Sequence, residues 1–377
     1  MYTFPRVSTT NFKPNLPTGA QTIDGRISMA NSYYPANIRR VQGDVTPFLD
    51  FVKRLLPEGR DAEILIAFMA ACTRYLGVKF TWCPFIQGTK GNGKTTIAKI
   101  LQYCISHDYT HWAKANELKE KYNSHLLGKI LVVVDEMYSD DKAELQELLK
   151  ELVTSDRVEI RAMYADKFMK DVCFNMLLIS NHQNGVRVDA NERRYAPLFC
   201  AQQEKADNAR DGLTKPYFRE LWSWLKADGF AIIYDYLLTV DIPEDLDPTK
   251  GATIAPETTS TERAALQSLG NIEQEIANAI EQQQDGFRGG WLSEHALDLL
   301  LARLGKDKFT PRTLRRSMIR ALGYDPHPAL ADGVCAEPLP DGVRTRLYIR
   351  KGHAWAVAHL TPAQVRDGFV EHQKLAR

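Results

Sequence analysis

The sequence predicts an α/β fold, and three observations support this prediction. Across residues 81–200, short apolar runs of strand type alternate with segments of helical periodicity. The run Ile130–Val134 is continuously apolar and rich in valine, as expected for a parallel strand buried on both faces. In Ala143–Leu152, leucines at helical spacing predict an amphipathic helix packed on a sheet.

The predicted elements of this core follow one another closely. We expect strands at Trp82–Ile86, Lys129–Asp135, Val158–Arg161, Val172–Ser180 and Tyr195–Cys200, and helices at Thr95–Ile105 and Lys142–Val153.

Four further parts are predicted around the core. Residues 1–45 are polar and contain several prolines, which indicates an extended arm, whereas 46–80 has helical periodicity. After the core of residues 81–200, we expect a helical region and linker over 201–285, with its many aromatic residues in the interior. Residues 286–377 form a separate small unit.

Composition limits the class of protein. The chain has 377 residues, 44% of them hydrophobic and 25% charged, as in ordinary globular proteins. Its net charge of +1 argues neither for nor against nucleic acid. Six scattered cysteines without metal-ligand spacing, and no apolar run of membrane length, predict a soluble protein of the bacterial cytoplasm with no membrane partner.

One loop carries the strongest chemical signal. It fits the pattern G-x-x-x-x-G-K-[ST] without substitution, between a predicted strand and a predicted helix. Its residues are Gly88, Thr89, Lys90, Gly91, Asn92, Gly93, Lys94 and Thr95, followed by Thr96. Backbone N–H groups of such a loop surround phosphate oxygens, while Lys94 would reach the β- and γ-phosphates and the Thr95 hydroxyl would bind Mg²⁺. We expect ATP and Mg²⁺ as ligands; the alternative is a glycine-rich turn that binds nothing.

Three later motifs fit a nucleotide-hydrolysing site. Asp135 and Glu136 end an apolar strand, so that Asp135 would hold Mg²⁺ and Glu136 would polarise the attacking water. Asn181 ends another strand and fits a side chain that senses the γ-phosphate, and Arg193 and Arg194 are suited to stabilising a transferring phosphoryl group. Taken singly, each has a plainer interpretation: solvated acids, a turn asparagine, or arginines in a salt bridge.

Together these motifs resemble superfamily 3 helicases, the ring-forming AAA+-like motors of phages, plasmids and small DNA viruses. The helicase part of phage and plasmid primase–helicase proteins is most similar. The resemblance covers approximately residues 25–350 and rests on Gly88–Thr96, Ile130–Glu136, Lys150–Lys167, Asn175–Asn181 and Arg193–Arg194.

The resemblance implies an AAA+-like P-loop NTPase core that assembles into a homo-hexamer around single-stranded DNA. In such a ring, Lys150 and Arg194 (or Arg193) would act on the nucleotide of a neighbouring subunit, and Lys79 would face a neighbour's phosphates. A hairpin with its tip near Met163–Lys167 would enter the pore. Its DNA-contacting candidates are Arg161, Tyr164, Lys167 and Lys170. The basic pair usual at the family tip is replaced by Met163 and Tyr164, and the lysines could be ordinary solvated charges.

The last unit has the pattern of a winged helix–turn–helix. A helix over Trp291–Gly305, with Ala296, Leu299, Leu300 and Leu304 facing inward, precedes a basic helix and a hairpin of strands Val334–Leu339 and Val343–Arg350. DNA contact is predicted for Arg312 and Arg316 on the helix and for Arg344 and Arg346 on the strand. The alternative is an accessory unit that docks a primase or an origin protein.

We therefore predict an ATP-dependent, ring-forming DNA helicase that translocates on single-stranded DNA in phage or plasmid replication. Its expected partners are single-stranded or forked DNA, further copies of itself, and a separate primase or replication initiator. The alternatives are an origin-binding ATPase initiator or loader without processive unwinding, and a DNA-independent remodeller of protein complexes.

Overall fold

The chain folds into two compact units, Met1–Ala264 and Ala265–Arg377. The computed structural model describes residues 6–374 apart from 25, 121, 138–141, 162–166, 183–184, 187–192, 268–270, 308–309, 311, 336 and 341, and without the side chains of 142–144, 265–267 and 271. No helix in these ranges combines the length and the apolar character needed to cross a bilayer.

The N-terminal arm contains a small sheet that the sequence analysis did not predict. Its strands are β1 (Thr9–Asn11), β2 (Gln21–Asp24) and β3 (Ile27–Asn31), in the order β1-β3-β2. The Asn31 amide donates to three backbone carbonyls of residues 13–17 and accepts from the Lys13 N–H at 2.9 Å. Side-chain-to-backbone bonds of this kind stabilise the arm in place of a row of buried apolar side chains. The arm therefore lacks the hydrophobic periodicity that predicts strands.

Two helices follow, α1 (Thr46–Leu55) and α2 (Gly59–Arg74). Residues 46–80 were predicted to be helical, and the apolar stripe of α1, which includes Phe48 and Phe51, is fully buried.

The centre of this unit is a five-stranded parallel sheet. In chain order the remaining strands are β4 (Cys83–Gln87), β5 (Thr110–Lys114), β6 (Leu131–Asp135), β7 (Arg157–Ile160), β8 (Phe168–Asp171), β9 (Asn175–Ser180) and β10 (Tyr195–Phe199). The large sheet has the order β10-β4-β9-β6-β5, and β7 and β8 form a separate antiparallel hairpin. The prediction of an α/β fold is confirmed at this level.

Helices cover both faces of the sheet. They are α3 (Lys94–Ile105), α4 (Lys142–Thr154), α5 (Lys205–Arg210), α6 (Lys215–Trp224), α7 (Phe230–Thr239) and α8 (Thr261–Gln267), with a π-helical turn at Leu225–Gly229. Leu131 and Val133 of β6 belong to one hydrophobic cluster, and Val132 and Val134 belong to the other. The strand is thus buried on both faces, as predicted.

The segment 253–260, predicted as a linker, covers the edge strand β10. The Ala255 N–H donates to the Arg193 carbonyl at 2.8 Å, and the Phe199 N–H donates to the Ser260 hydroxyl at 3.0 Å. These bonds satisfy backbone groups that a bare edge strand would expose.

One buried carboxylate fixes this covering segment to α2. Asp61 is 2% exposed, and it accepts hydrogen bonds from the Thr259 N–H at 3.0 Å and from the Thr259 hydroxyl at 2.6 Å. Hydrogen bonds to a charged group are each worth about 1.5–3 kcal/mol. These two bonds, which we call the Asp61 clasp, therefore contribute substantially to the free energy of unfolding.

The C-terminal unit has its own core and a three-stranded antiparallel sheet in the order β11-β13-β12. Its elements are α9 (Asn271–Glu281), β11 (Trp291–Ser293), α10 (Glu294–Arg303), α11 (Arg312–Ala321), β12 (Tyr324–Pro326), β13 (Leu347–Arg350) and α12 (Pro362–Lys374). The chain therefore divides at Ala264, whereas the sequence analysis placed the last boundary after residue 285.

Two details of this unit differ from prediction. Trp291 begins a strand, and the helix starts only at Glu294 after an N-cap from the Ser293 hydroxyl. The buried face of this helix is formed by Leu297, Leu300 and Leu301, so Leu299, which was predicted to face inward, is 59% exposed. The predicted hairpin is partly formed: Val334 bridges Arg346, and the Cys335 and Leu339 N–H groups donate to the Thr345 and Val343 carbonyls, while β13 pairs with β11 and β12.

Candidate functional site

The loop between β4 and α3 requires glycine at specific positions. Gly91 and Gly93 have φ of 86° and 98°, in the left-handed region that favours glycine. A Cβ atom on Gly93 would lie 2.8 Å from the Phe51 ring and 2.9 Å from the Phe218 ring. The loop is thus held against two aromatic side chains, and α3 begins at the very next residue, Lys94.

The Lys94 ammonium is enclosed by the loop. It donates to the Gly88 and Thr89 carbonyls at 2.7 and 2.8 Å. It also lies 3.1 Å from Asn92 Oδ1 and 3.2 Å from Asn181 Oδ1. Burial lowers the pKa of Lys94. These neutral acceptors stabilise the cation only in part, and an anionic ligand in the loop would stabilise it more strongly.

Residues from three predicted motifs line one cavity of about 360 Å³. They are Lys90, Gly91, Asn92, Gly93, Lys94, Thr95 and Thr96 of the loop, Asp135 and Glu136 after β6, and Asn181 after β9. They meet because β4, β9 and β6 are parallel neighbours whose carboxyl ends share one edge of the sheet. A volume of this size falls within the range of small-molecule pockets.

Glu136 has features that the sequence did not reveal. Its backbone has φ of 53°, and its carboxylate lies 3.2 Å from the ammonium of Lys114. Lys114 ends β5, the strand that the sequence analysis missed. That strand lies at the sheet edge and contains polar and aromatic residues, so it lacks the apolar run that identified its neighbour β6.

The cavity suits a magnesium ion bound together with phosphates. Asp135 and Thr95 contribute a carboxylate and a hydroxyl to the same space, and Mg²⁺ is usually held by one or two protein oxygens plus phosphate oxygens and water. Among the described residues, no cluster of three histidine, cysteine, aspartate or glutamate side chains could hold a metal by itself.

The two candidate arginines lie at the other end of the parallel strands. We call the end where the strands begin the amino edge of the sheet, and the end with the cavity the carboxyl edge. Tyr195 of β10 is in register with Cys83, the first residue of β4, and the Cys83 N–H donates to the Arg194 carbonyl at 2.8 Å. The loop begins only after Gln87, four residues further along β4, which is about 13 Å at the usual rise per residue. An extended arginine side chain reaches about 7 Å from its Cα atom. Neither Arg193 nor Arg194 is therefore placed to reach the loop of its own chain.

Arg194 instead shares a second cavity, of about 730 Å³, with Lys150 and Arg161. Lys150 donates to Glu147 at 2.7 Å, and this bond, with a smaller contribution from Arg194, lowers the pKa of Glu147. Residues predicted to act on a neighbour's nucleotide thus lie together, apart from the cavity that contains Lys94.

Lys79 is placed differently from the other cations. Its ammonium donates to the Leu152 and Phe174 carbonyls, both at 2.7 Å, and lies 4.3 Å from the centroid of the Phe174 ring. Burial lowers its pKa to about 7. These contacts hold the Lys79 side chain between the end of α4 and the start of β9.

The structure has a hairpin at the predicted place, formed by β7 and β8. Arg161 and Lys167 lie 2.8 and 3.4 Å from the carboxylate of Glu159, and Lys170 donates to a backbone carbonyl of β1 at 3.0 Å. The tip, including Tyr164, lies outside the described residues.

In the C-terminal unit, Arg312 and Arg344 are exposed. Arg316 and Arg346 both approach the carboxylate of Asp332, at 3.5 and 2.9 Å.

Comparisons with known proteins inform the fold and leave the activity open. A model described as a family of unknown function (DUF5906) matches residues 86–194, and no curated protein matches the chain. The apo structure of the NrS-1 C-terminal region has a TM-score of 0.58 at 14% identity, over 84% of this chain and 72% of that one. Another structure of this region has 0.56 at 15%, over 84% and 73%. A JCV helicase has 0.35 at 12%, over 63% and 65%. The chain thus shares the mixed α/β fold of the NrS-1 C-terminal region.

Proposed function

We propose that the chain is an ATP-dependent DNA helicase of the superfamily 3 type, which acts as a ring in phage or plasmid replication. The supporting observation is the distribution of the candidate catalytic groups over two edges of one sheet. Lys94, Asp135 and Asn181 share one cavity, whereas Lys150 and Arg194 share another. Such a division is what a nucleotide site between neighbouring subunits requires.

The half of the site at the carboxyl edge would bind ATP. Loop N–H groups and Lys94 would hold the phosphates, and Asn181, already 3.2 Å from the Lys94 ammonium, would lie beside the γ-phosphate. Asp135 and Thr95 would hold Mg²⁺, which when bound offsets negative charge on the phosphate oxygens. Glu136 would then orient and polarise the attacking water, and for this its contact with Lys114 must open.

The half of the site at the amino edge would complete a neighbour's site. Arg194, or Arg193, would stabilise charge on the transferring phosphoryl group, and Lys150 would respond to the bound nucleotide. The bond from Ala255 to the Arg193 carbonyl, within the covering segment 253–260, would hold the arginines in place.

DNA contact is proposed at two places. The hairpin would present Arg161, Lys167 and Lys170 to a strand inside the ring, with Tyr164 at its tip. The C-terminal unit would act as a winged helix–turn–helix and contact DNA through its arginines. That second contact also favours one alternative function, an initiator or loader that assembles on duplex DNA without unwinding it.

Unwinding of forked DNA tests the proposal. ATP hydrolysis by the full chain should increase with single-stranded DNA, and Lys94→Ala and Glu136→Gln should both abolish hydrolysis and unwinding. Lys99→Ala, which removes an exposed lysine from the same helix as Lys94, is the matched control and should retain both. If ATP hydrolysis proceeds without unwinding under every loading condition, the chain is an initiator rather than a helicase. If no hydrolysis occurs with any DNA, the proposed ATPase activity is refuted.

A further inference from the structure

Two arginines of the C-terminal unit converge on one acidic side chain. Arg346 Nη2 lies 2.9 Å from Asp332 Oδ2, and Arg316 Nη2 lies 3.5 Å from the same oxygen. Arg346 also donates through Nε to the Asp332 backbone carbonyl at 3.2 Å and approaches Glu294 at 3.7 Å. Two guanidinium groups aimed at one oxygen match the way that arginines bind phosphate.

Two buried donors in this cluster lack an acceptor. The Tyr348 hydroxyl belongs to a side chain that is 1% exposed, and it has no hydrogen-bond partner among the described residues. Arg316 Nε is also buried without an acceptor in that part of the chain. Arg346 and Tyr348 are two residues apart in one extended segment, so their side chains project from the same face. Burial raises the pKa of Tyr348, and the charges of Glu294, Arg316, Arg346 and Asp332 shift it by smaller amounts. Unsatisfied buried donors point to an acceptor that a ligand would supply.

Asp332 is held in an unusual but easily displaced position. Its backbone has φ of 51°, in the left-handed region that residues other than glycine seldom adopt. Its side chain is 59% exposed. Ion pairs at such exposed sites contribute little to stability, so a ligand phosphate could replace the carboxylate at small cost.

We propose that Arg316, Arg346 and Tyr348 form a binding site for a backbone phosphate of DNA, and that Asp332 occupies this site as an internal substitute. A phosphate would accept from the two guanidinium groups and from the Tyr348 hydroxyl once the carboxylate moves away. Asp332 therefore weakens DNA binding by the unit, and removal of its charge increases affinity. This proposal rests on the proposed DNA-binding function, yet it concerns binding alone and requires no ATP.

The test is DNA affinity of the full chain without nucleotide, measured by fluorescence anisotropy over a series of salt concentrations. Asp332→Asn removes the charge with a residue that tolerates the same backbone conformation. It should tighten binding by at least about threefold. The slope of log affinity against log salt concentration should steepen by the amount expected for roughly one more phosphate contact. Asp325→Asn is the matched control, because it removes a nearby acidic charge that pairs with Lys351 at 3.8 Å, outside the cluster. It should change the affinity by less than half as much.

Further variants identify the site. Adding Tyr348→Phe or Arg316→Gln to Asp332→Asn should reverse most of the gain, with melting temperatures confirming that both variants fold. Equal effects of Asp332→Asn and Asp325→Asn, or no effect of either, would overturn the proposal. Inorganic phosphate and ATP serve as competitors; if millimolar phosphate stabilises Asp332→Asn against heat while DNA affinity stays unchanged, the ligand is a free phosphate and the DNA assignment is wrong. Loss of unwinding in Lys94→Ala tests the motor separately and leaves this result unaffected.

Discussion

Mixing two inactive variants should restore ATP hydrolysis if each site is divided between two subunits. Lys94→Ala removes the ammonium from the carboxyl edge, and Arg194→Ala removes the guanidinium from the amino edge. Each variant alone should lose nearly all activity, since an arginine supplied from a neighbour is worth about 10³–10⁵ in rate in comparable enzymes. In a mixed ring, some interfaces would have an intact Lys94 on one side and an intact Arg194 on the other.

The expected recovery follows from the geometry. Because Arg194 lies at the start of β10 and the loop begins four residues along the neighbouring strand, about 13 Å away, one chain cannot supply both groups to one site. With random assembly from equal amounts of the two variants, about one quarter of the interfaces carry both intact groups. The rate should therefore reach roughly one quarter of wild type if the interfaces act independently.

The assay is steady-state phosphate release as a function of mixing ratio at fixed total protein. Recovery should peak at equal amounts and fall to zero at either end. Lys94→Ala mixed with Glu136→Gln is the matched control, because both changes lie in the same half-site and no interface regains both groups. The Arg193→Ala variant, treated in the same way, shows which arginine is used. If labelled subunits exchange and yet no ratio restores activity, the divided site is wrong.

Three further predictions concern stability. Lys79 is protonated up to about pH 10.5 in the unfolded chain but only up to about pH 7 in the folded chain. Because the unfolded chain binds more protons between these values, the free energy of unfolding should rise with pH in this interval. Between pH 7 and 9, urea titrations should show a rise of about 2–3 kcal/mol in wild type that Lys79→Met lacks; equal pH slopes would contradict the assignment. Asp61→Ala, which removes both bonds of the clasp, should lower the free energy of unfolding by about 3 kcal/mol, and Thr259→Val, which removes one, by about half as much. Equal costs would mean that the hydroxyl bond carries the whole effect. Gly93→Ala should destabilise the chain by more than about 1 kcal/mol in thermal melts, because the new Cβ meets two rings and the backbone is left-handed. The matched change Gly59→Ala, in open space at a helix start, should be neutral or stabilising, and a neutral Gly93→Ala would show that the loop is not confined.

The sequence predicted the central sheet best where hydrophobic burial dictates the pattern. The strand at residues 131–135 was found because burial on both faces requires an uninterrupted apolar run. β5 was missed because this edge strand is only partly buried and therefore has no such requirement. The sheet around Asn31 was missed for another reason, since its loops are held by hydrogen bonds from one polar side chain. At Trp291, a fully buried aromatic fits a helix or a strand equally well from periodicity alone.

The linear motifs predicted which residues line the cavity around Lys94, whereas the assignment of Arg194 to a neighbour's site followed only from the family resemblance. That Lys94, Asp135 and Asn181 meet follows from parallel strands, which the alternation of strands and helices implies. That Arg194 lies at the other edge depends on β10 pairing with β4 and running parallel to it, a long-range pairing with no local signal.

This division limits the assemblies in which the proposed site can work. In an isologous dimer, each subunit contributes the same surface patch to a single two-fold interface. An isologous contact would join a carboxyl edge to an amino edge only if both lay in one self-complementary patch, whereas a heterologous, head-to-tail contact joins them as two different surfaces. Repetition of such a contact either closes into a ring or extends into a filament. The head-to-tail contact that closes a strand-encircling ring would also assemble the divided nucleotide site, so a mutation that breaks this contact should abolish ATP hydrolysis and strand retention together.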